Sequence, residues 1–342
     1  MRPSPILAAA AATGLLVAGC SAPVPPEQAI ADALAKTGQR SSATVTMRLD
    51  TTAEDLAKLV EAGSTTPDAP AIPQLDVVTA IVPKLAITTA VRAHSGDLNS
   101  AITPDQADVA FTVSVDGKPL EVRWVDSQLF LHADVEGIGQ ATGLFTATQV
   151  KMMAGQLTTT LPWITDVING GWVTLDKDTS AKVIAKAQEQ AASAEPTAQP
   201  SVDPVKARDA LLGASTVTKV DDSTFKVATD AKKLITAMAE LSDTDDFTAE
   251  DAQEAIDSIN DGADLDTTVT VKDGRVVKVV VDLADILRTW PKQKPGDTAT
   301  ASIAATEFLL NGVVEIDNTD PTIEAPSPAT TIPASDVEQL LR

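Results

Sequence analysis

A strict two-residue alternation, followed at once by a turn dipeptide, is the feature that most narrows what this chain can fold into. The segment 109–115 places apolar side chains at every odd position, with small or polar residues between them: Val109, Phe111, Val113 and Val115. This period of two is typical of a strand with one buried face, and the following Asp116-Gly117 favours a tight hairpin turn. The chain returns over 120–124 and, after a turn at Asp126-Ser127, continues over 128–132. We therefore predict three consecutive antiparallel strands with one solvated face.

Similar signals elsewhere set the predicted fold class. Strict alternation over 43–49 predicts another half-buried strand, and Asp221-Asp222 and Asp273-Gly274 each separate two short alternating runs, which predicts two more hairpins. Thr52 and Thr248 each begin the segment Thr-Ala-Glu-Asp ahead of apolar residues at helical spacing, the pattern of a capped helix. No strand–helix–strand rhythm runs through the chain. The predicted fold is α+β: a large curved antiparallel β-sheet, a half-barrel, with helices packed on one face.

Three other segments give local predictions. The glycine-rich segment from Gly137 to Gly143 is predicted as a loop. Residues 298–303 alternate Thr or Ser with Ala or Ile, which predicts a strand. Asn311-Gly312 predicts a turn into a last strand over 313–316.

The N-terminus has the pattern of a secretory signal. Arg2 precedes an apolar run over 6–17, which is too short to span a bilayer, and small Ala18 and Gly19 directly precede Cys20. The stretch 15–20 resembles a bacterial lipobox, whose cysteine thiol receives a diacylglyceryl group before the signal is removed. The resemblance implies lipidation of Cys20 and anchoring of the protein by its acyl chains at the extracytoplasmic face of the cell membrane. The alternative is an ordinary secreted protein with a free thiol.

Composition divides the chain into four parts. Residues 1–19 are the predicted signal peptide, 20–26 a Pro-rich tether, 27–327 a single body, and 328–342 a Pro-rich C-terminal tail. Within the body, the Pro-, Ser-, Ala- and Gln-rich stretch 195–204 is predicted as a flexible insertion. Because Cys20 is the only cysteine, no intrachain disulfide can hold the body together.

Charge and residue types exclude several classes of function. The chain carries 48 Asp and Glu against 26 Lys and Arg, a net charge of −22. This balance argues against binding to nucleic acid and against docking on anionic lipid by charge. His94 and His132 are the only histidines, which excludes a multi-histidine metal site. His132 alternates with Phe130 on a predicted strand, so we interpret it as a surface or interface residue and not as a catalytic base.

No motif of catalysis or metal binding is complete. The sequence has no nucleophile elbow, no His-Glu-x-x-His segment and no phosphate loop. Asp243, Asp245 and Glu254 have the spacing of part of a calcium loop, but Phe247 and Thr248 stand where an oxygen ligand and a glycine are needed. We predict a protein that is not an enzyme and has no catalytic residues, no bound metal and no cofactor.

The order of predicted elements behind a lipobox resembles the actinobacterial LppX/LprG-like envelope lipoproteins and, more distantly, the LolA-type lipoprotein carriers. The stretches that carry the resemblance are 113–132, 171–176, 276–286 and 322–326. It implies a half-barrel sheet that encloses an apolar cavity for acyl chains. This chain departs from the family in its greater length and in the insertion at 195–204.

Two functions remain open at this point. The protein either binds a lipid or lipoglycan and carries or presents it in the cell envelope, or it is a non-catalytic structural or regulatory lipoprotein that binds a protein partner. An apolar cavity of several hundred Å³ would distinguish the first from a solidly packed sheet. The strand face with the largest apolar side chains is the candidate lipid wall: Phe111, Val113, Val122 and Trp124. The same side chains could instead be core beneath the helices.

Overall fold

The computed structural model describes residues 24–64, 75–98, 106–158, 161–193, 204–241, 248–292 and 297–340. Its helices are α1 (Pro26–Gly38), α2 (Ala53–Gly63), α3 (Leu75–Ile81), α4 (Val135–Thr142), α5 (Ala147–Leu157), α6 (Ile164–Ile168), α7 (Lys177–Ser193), α8 (Pro204–Gly213), α9 (Ala231–Leu241), α10 (Ala249–Asp257), α11 (Leu283–Thr289), α12 (Thr298–Ala305) and α13 (Ala334–Leu340). A short 3₁₀ helix, Val82–Lys84, follows α3. The strands are β1 (Ser42–Thr51), β2 (Leu85–Ala93), β3 (Ala107–Val115), β4 (Lys118–Val125), β5 (Gln128–Ala133), β6 (Trp172–Thr174), β7 (Ser215–Lys219), β8 (Thr224–Asp230), β9 (Asp264–Lys272), β10 (Arg275–Asp282), β11 (Leu310–Asp317) and β12 (Ala329–Thr331).

All of these strands belong to one open sheet. Their order across it is β12-β6-β5-β4-β3-β2-β1-β11-β10-β9-β8-β7, and every neighbouring pair is antiparallel except β12 with β6. Two meanders, β1 to β6 and β7 to β11, thus lie side by side and are joined where β1 pairs with β11. The predicted α+β fold with a large antiparallel sheet and helices on one face is confirmed.

The strand registers sort the side chains into two faces. Met47 lies opposite Val314 on one side and Ile87 on the other, and Ile87 lies opposite Val113. We call the face that these residues share the inner face. Because successive side chains of a strand point to opposite sides, Thr46 and its equivalents lie on the other side, the outer face. Met47 and Val113 are among the apolar positions of the alternations that predicted β1 and β3.

Helices pack on the inner face in separate clusters. Ile30 of α1 packs with Phe225 and Val269 near the β7 edge of the sheet. Leu56 of α2 packs with Leu49 of β1 in a cluster that also contains residues of α11 and α12. A third cluster, around β5 and β6, contains side chains of α6, α7 and α13. Helix packing thus buries much of this face while the strands hold it in register.

The C-terminal stretch 321–328, which we call the strap, crosses the outer face. Ile323 is only 1% exposed and packs with Phe130. The guanidinium groups of Arg92 and Arg123 donate hydrogen bonds to the backbone carbonyl oxygens of Ile323 and Glu324, at 2.8 and 3.0 Å. These contacts fasten the strap to strands β2 and β4.

Beyond the strap, the chain returns to the edge of the sheet. Strand β12 pairs in parallel with β6, and Val337 of α13 joins the inner-face cluster of Val173. The segment 328–342, predicted as a Pro-rich tail, therefore contains a strand and a helix that the sequence did not predict.

The predicted loop from Gly137 to Gly143 is wrong, because 135–142 form helix α4. Asp134 caps this helix by accepting a hydrogen bond from the backbone N–H of Gly137 at 2.8 Å, and Gly143 ends it with a φ of 70°. A Cβ at Gly139 would collide with the ring of Phe145. Here glycine permits a close approach and does not mark a loop.

The two predictions near the end of the body are also wrong. Residues 298–303 lie in helix α12, which begins where Asp297 accepts a hydrogen bond from the Thr300 N–H at 3.0 Å. Ile303 of α12 packs with the cluster of Leu56 and Leu49. This tertiary contact favours the helix over the strand that the local alternation predicted. Asn311-Gly312 lies inside β11 and not in a turn, because β1 and β10 pair with both sides of that strand.

Some predictions fall outside the described residues. These are the signal peptide with Cys20, all but Pro204 of the insertion 195–204, and Asp243 and Asp245 of the partial calcium loop. Pro26, the last residue of the predicted tether, already begins α1. Among the helices of the described segments, none combines the length and the apolar character needed to cross a membrane.

Candidate functional site

An apolar groove of about 410 Å³ opens on the inner face where the two meanders meet. Strands β1, β2, β10 and β11, the start of α11 and the 3₁₀ helix form its wall, which includes Met47, Leu49, Ile87, Val281, Leu283 and Val314. Arg48 also contributes to the lining, but its guanidinium lies 3.4 Å from the Glu315 carboxylate, its partner on the outer face. The described residues of the groove therefore offer apolar contact and no charged group.

Gly312 gives the groove part of its depth. It lies opposite Leu49 on β1 and Val281 on β10, so a larger residue there would project between them. A Cβ at this position would lie 3.5 Å from Cδ1 of Leu283, which is ordinary contact distance. An alanine would fit, whereas a long side chain would occupy the space that the groove now contains.

A row of apolar side chains extends from the groove across the first meander. Cross-strand pairing places Val314, Met47, Ile87, Val113 and Leu120 side by side on β11, β1, β2, β3 and β4. At roughly 4.8 Å between neighbouring strands, this row is about 19 Å long. Met47 is 44% exposed and Leu120 is 47% exposed, although both lie on the helix-bearing face. The inner face thus has an apolar strip that the helices do not bury.

The predicted lipid-wall residues lie on the inner face beside the groove, not in its lining. Val113 is opposite Ile87 of the groove wall, whereas Phe111 and Val122 form the next cross-strand pair along β3 and β4. Trp124 is one pair further along, opposite Val109. The structure therefore brings Phe111, Val113 and Val122 close together, with Trp124 at the far end of the same two strands.

Sequence reasoning missed the groove itself because the pairing of β1 with β11 joins distant residues. We call the junction between β1 and β11 the seam. The side chains of Arg48 and Glu315 form an ion pair across it, although they are 267 residues apart in sequence. The alternation over 43–49 correctly indicated which face of β1 is apolar. It carried no information about the strand that would lie beside Leu49.

Two clusters that contain charged side chains and the two histidines lie on the outer face. Asp108, which is buried, accepts hydrogen bonds from Arg92 at 2.7 Å and from His94 at 3.1 Å. His132 stacks on Trp172 with their ring centroids 5.0 Å apart, and the Arg123 guanidinium lies 4.6 Å from the Trp172 ring. These side chains support the strap and the edge of the sheet. Neither histidine lines the groove.

No set of three or more His, Cys, Asp or Glu side chains in the described segments is arranged to hold a metal ion. Glu254 of the partial calcium loop lies on α10, whose start is formed by Thr248 and Asp251 in a reciprocal capping box. Thr248 and Asp251 therefore cap the N-terminus of this helix.

Comparison with known proteins gives matches in structure alone. No family model matches the chain, and no curated protein matches it in sequence. The lipoprotein LppX of Mycobacterium tuberculosis matches over 88% of this chain and 98% of its own, with 10% identity and a TM-score of 0.30. LprF of Mycobacterium bovis matches over 89% of this chain and 97% of its own, with 10% identity and a TM-score of 0.31. The resemblance stated from the sequence thus recurs among the structural matches, which at these values carry no function to this chain.

Proposed function

We propose that this protein is an extracytoplasmic lipoprotein, anchored through acylated Cys20, that binds a lipid or lipoglycan and carries or presents it in the cell envelope. The observation that carries the proposal is the apolar groove of about 410 Å³ on the inner face. In this proposal, an acyl chain lies in the groove and extends along the apolar strip towards Val113, Phe111 and Val122. No catalytic step is part of the proposal.

The chemistry of the groove suits an acyl chain. Such a chain needs contact area and no hydrogen bonds, and each methylene removed from water contributes about 0.8 kcal/mol. The volume is within the range of small-molecule sites, roughly 300–1,000 Å³. Met47 adds an unbranched, adaptable side chain at the open side of the groove, which suits ligands of irregular shape.

The alternative, a structural or regulatory lipoprotein that binds a protein partner, requires a sheet filled by its own side chains. The groove and the exposed Met47 and Leu120 argue against complete filling. The groove favours lipid binding because it is concave and apolar, which a flat protein-binding face would not need to be.

Blocking the groove tests the proposal. We expect Met47→Trp to weaken binding of a fluorescent eighteen-carbon fatty acid, cis-parinaric acid, by at least about tenfold, because the indole would occupy the groove. Met47 is 44% exposed and belongs to none of the buried core clusters, so the larger side chain should not displace core residues. The measurement is a fluorescence titration of the full mature chain.

Met238→Trp is the matched control, because Met238 is an exposed methionine on α9 outside the groove. Circular dichroism and urea unfolding would establish that both variants remain folded. Unchanged affinity in Met47→Trp, or an equal loss in both variants, would contradict the proposal.

Val113→Trp then locates the rest of the ligand. Val113 belongs to the apolar strip, where it lies next to Ile87, but it does not line the groove. If the acyl chain follows the strip, this variant should also weaken fatty-acid binding while the fold is kept. If it binds as the wild type does, the ligand is confined to the groove and the predicted wall takes no part.

A further inference from the structure

A second pocket, of about 290 Å³, lies at the opposite ends of the central strands that form the groove. Its wall is formed by the turn between β9 and β10, residues 316–319 at the end of β11, and Arg40 just before β1. Val314 of the groove and Asn318 of this pocket are four residues apart along one chain, about 13 Å at roughly 3.3 Å per residue. The proposed lipid function does not require this pocket.

Basic side chains gather at this pocket in a chain whose net charge is −22. Arg40, Lys272 and Arg275 line it, and Nζ of Lys36 lies 3.1 Å from the position that a Cβ would take at Gly274 in the adjoining turn. These four basic groups outnumber the three acidic groups nearby, Asp273, Asp317 and Asp320, so the local charge balance is the reverse of that of the whole chain.

The acidic side chains near the pocket are partly engaged by other groups. Asp317 accepts a hydrogen bond from the Thr319 backbone N–H at 2.8 Å, and Asp320 pairs with Arg40 at 3.0 Å. Asp273 is the remaining acidic residue of the lining, at the tip of the turn. In the described segments, Lys272 and Arg275 have no carboxylate within ion-pair distance, so their charges are available to a ligand.

Within the part of the chain that the structure describes, two polar atoms of the lining residues have no hydrogen-bond partner and are out of contact with solvent. They are the donor Nε of Arg275 and the acceptor Oδ1 of Asn318. Nδ2 of Asn318 donates to the Val276 carbonyl at 3.1 Å, and this hydrogen bond identifies the other end of the amide as the acceptor Oδ1. Folded proteins rarely leave such atoms unsatisfied, and an ion is one ordinary explanation when they do.

We propose that this pocket binds a phosphate group that carries a proton or a free hydroxyl. Guanidinium groups match the geometry of phosphate oxygens, and Lys272 adds a further charge-assisted donor. A small adjustment of the two side chains on binding would let the P–O–H group donate to Oδ1 of Asn318 while another oxygen accepts from Arg275. A fully ionised oxyanion could satisfy Arg275 but not Asn318.

Titration calorimetry of the full mature chain with inorganic phosphate at about pH 6, where phosphate groups are partly protonated, tests the proposal. We expect saturable binding with a dissociation constant below about 10 mM. Arg275→Gln should weaken it by at least about tenfold, and Lys272→Gln, at an exposed residue less able to disturb the fold, by several-fold. Absence of saturable binding to the wild type would overturn the proposal.

Arg208→Gln is the matched control, because Arg208 pairs with Asp209 on α8 and does not line the pocket. An equal loss of phosphate affinity in this variant would show that binding depends only on the overall charge of the protein, and would overturn the proposal. Sulfate supplies a second control, since it has no proton to donate to Asn318 at this pH. We expect it to bind at least about tenfold more weakly than phosphate, and equal affinity would also overturn the proposal.

Short-chain dihexanoyl phosphatidic acid distinguishes a lipid headgroup from free phosphate. Tighter binding of this lipid, with a gain that Met47→Trp removes, would identify a headgroup whose acyl chains reach the groove. Equal affinity for the lipid and for inorganic phosphate would identify the free ion as the ligand. Because Met47→Trp should leave inorganic phosphate binding unchanged, failure of the groove proposal and failure of the phosphate proposal give different results.

Discussion

Asp108 accepts hydrogen bonds from several parts of the chain: the Arg92 guanidinium at 2.7 Å, His94 Nε2 at 3.1 Å and the Asp126 backbone N–H at 3.3 Å. Burial raises the pKa of this carboxyl group, but these hydrogen bonds outweigh it, so the pKa is below its usual value. Arg92 also donates to the Ile323 carbonyl of the strap. Asp108 therefore holds in place the side chain that fastens the strap.

We expect Asp108→Asn to lower the free energy of unfolding at pH 7 by about 2–3 kcal/mol, because a charge-assisted contact with Arg92 is lost. A carboxyl group with a lowered pKa in the folded state stabilises the fold above its unfolded pKa of about 3.9. That contribution is lost as the pH falls through the folded-state pKa, so the difference from the wild type should shrink towards pH 3. Urea unfolding at several pH values measures it.

The control is Asp222→Asn, in which a fully exposed carboxylate loses its contact with Lys219. Exposed pairs of this kind contribute little, so its stability should stay within about 0.5 kcal/mol of the wild type. A deficit in Asp108→Asn that is the same at every pH would show that the charge of Asp108 is not what stabilises the fold.

Among the elements, Val279 of β10 tests the assignment of the sheet faces. It lies opposite Val314 and Val269 on the inner face and packs against the cluster of Ile30 beneath α1. We expect Val279→Asn to lower the free energy of unfolding by about 1–3 kcal/mol, because the amide would be buried without hydrogen-bond partners. The measurement is the urea midpoint.

Thr268→Asn is the matched change on the outer face, at an exposed position of the neighbouring strand β9. It should leave the free energy of unfolding almost unchanged. If Thr268→Asn proved the more costly substitution, the register of these strands would be shifted by one residue, since such a shift exchanges the two faces.

The accuracy of the sequence predictions differed between elements for a physical reason. The hairpins were predictable because Asp116 and Asp273 adopt φ values of 53° and 52°, each followed by a glycine with positive φ, which is a local property of Asp-Gly. The helix starts at Thr52 and Thr248 were likewise predictable, because each hydroxyl accepts a hydrogen bond from a residue three positions later. Gly312 was misread because its place inside β11 depends on strands β1 and β10, which no local pattern records.

The same distinction applies to the candidate site. Alternation placed Phe111 and Val113 on the face that contains the groove, because it reports which side of a strand is apolar. It could not identify the groove, whose wall combines β1, β2, β10 and β11. A face can be predicted from one strand, whereas a concavity requires knowledge of its neighbours.

For the molecule as a whole, membrane attachment by Cys20 remains a prediction. The strongly acidic chain gives no charge attraction to an anionic bilayer. We therefore expect Cys20→Ala to abolish lipidation and to release uncleaved precursor or soluble protein, whereas Ser21→Ala should remain lipidated. Membrane fractionation with mass spectrometry of the N-terminal peptide measures both effects. If the Cys20→Ala protein still fractionated as an integral membrane species, the anchor would lie elsewhere.

The seam between β1 and β11 also has a consequence in time. Arg48 and Glu315 meet across it although 267 residues separate them, and at about 5–20 residues per second the ribosome needs roughly 10–50 s to make that length. Until β11 emerges, β1 has an unpaired edge, and its Met47 and Leu49 have no neighbour on that side. A nascent chain therefore exposes this apolar edge throughout the interval. The wall of the groove is likewise incomplete through this interval, because β10 and β11 are the last strands of the sheet's centre to be synthesised.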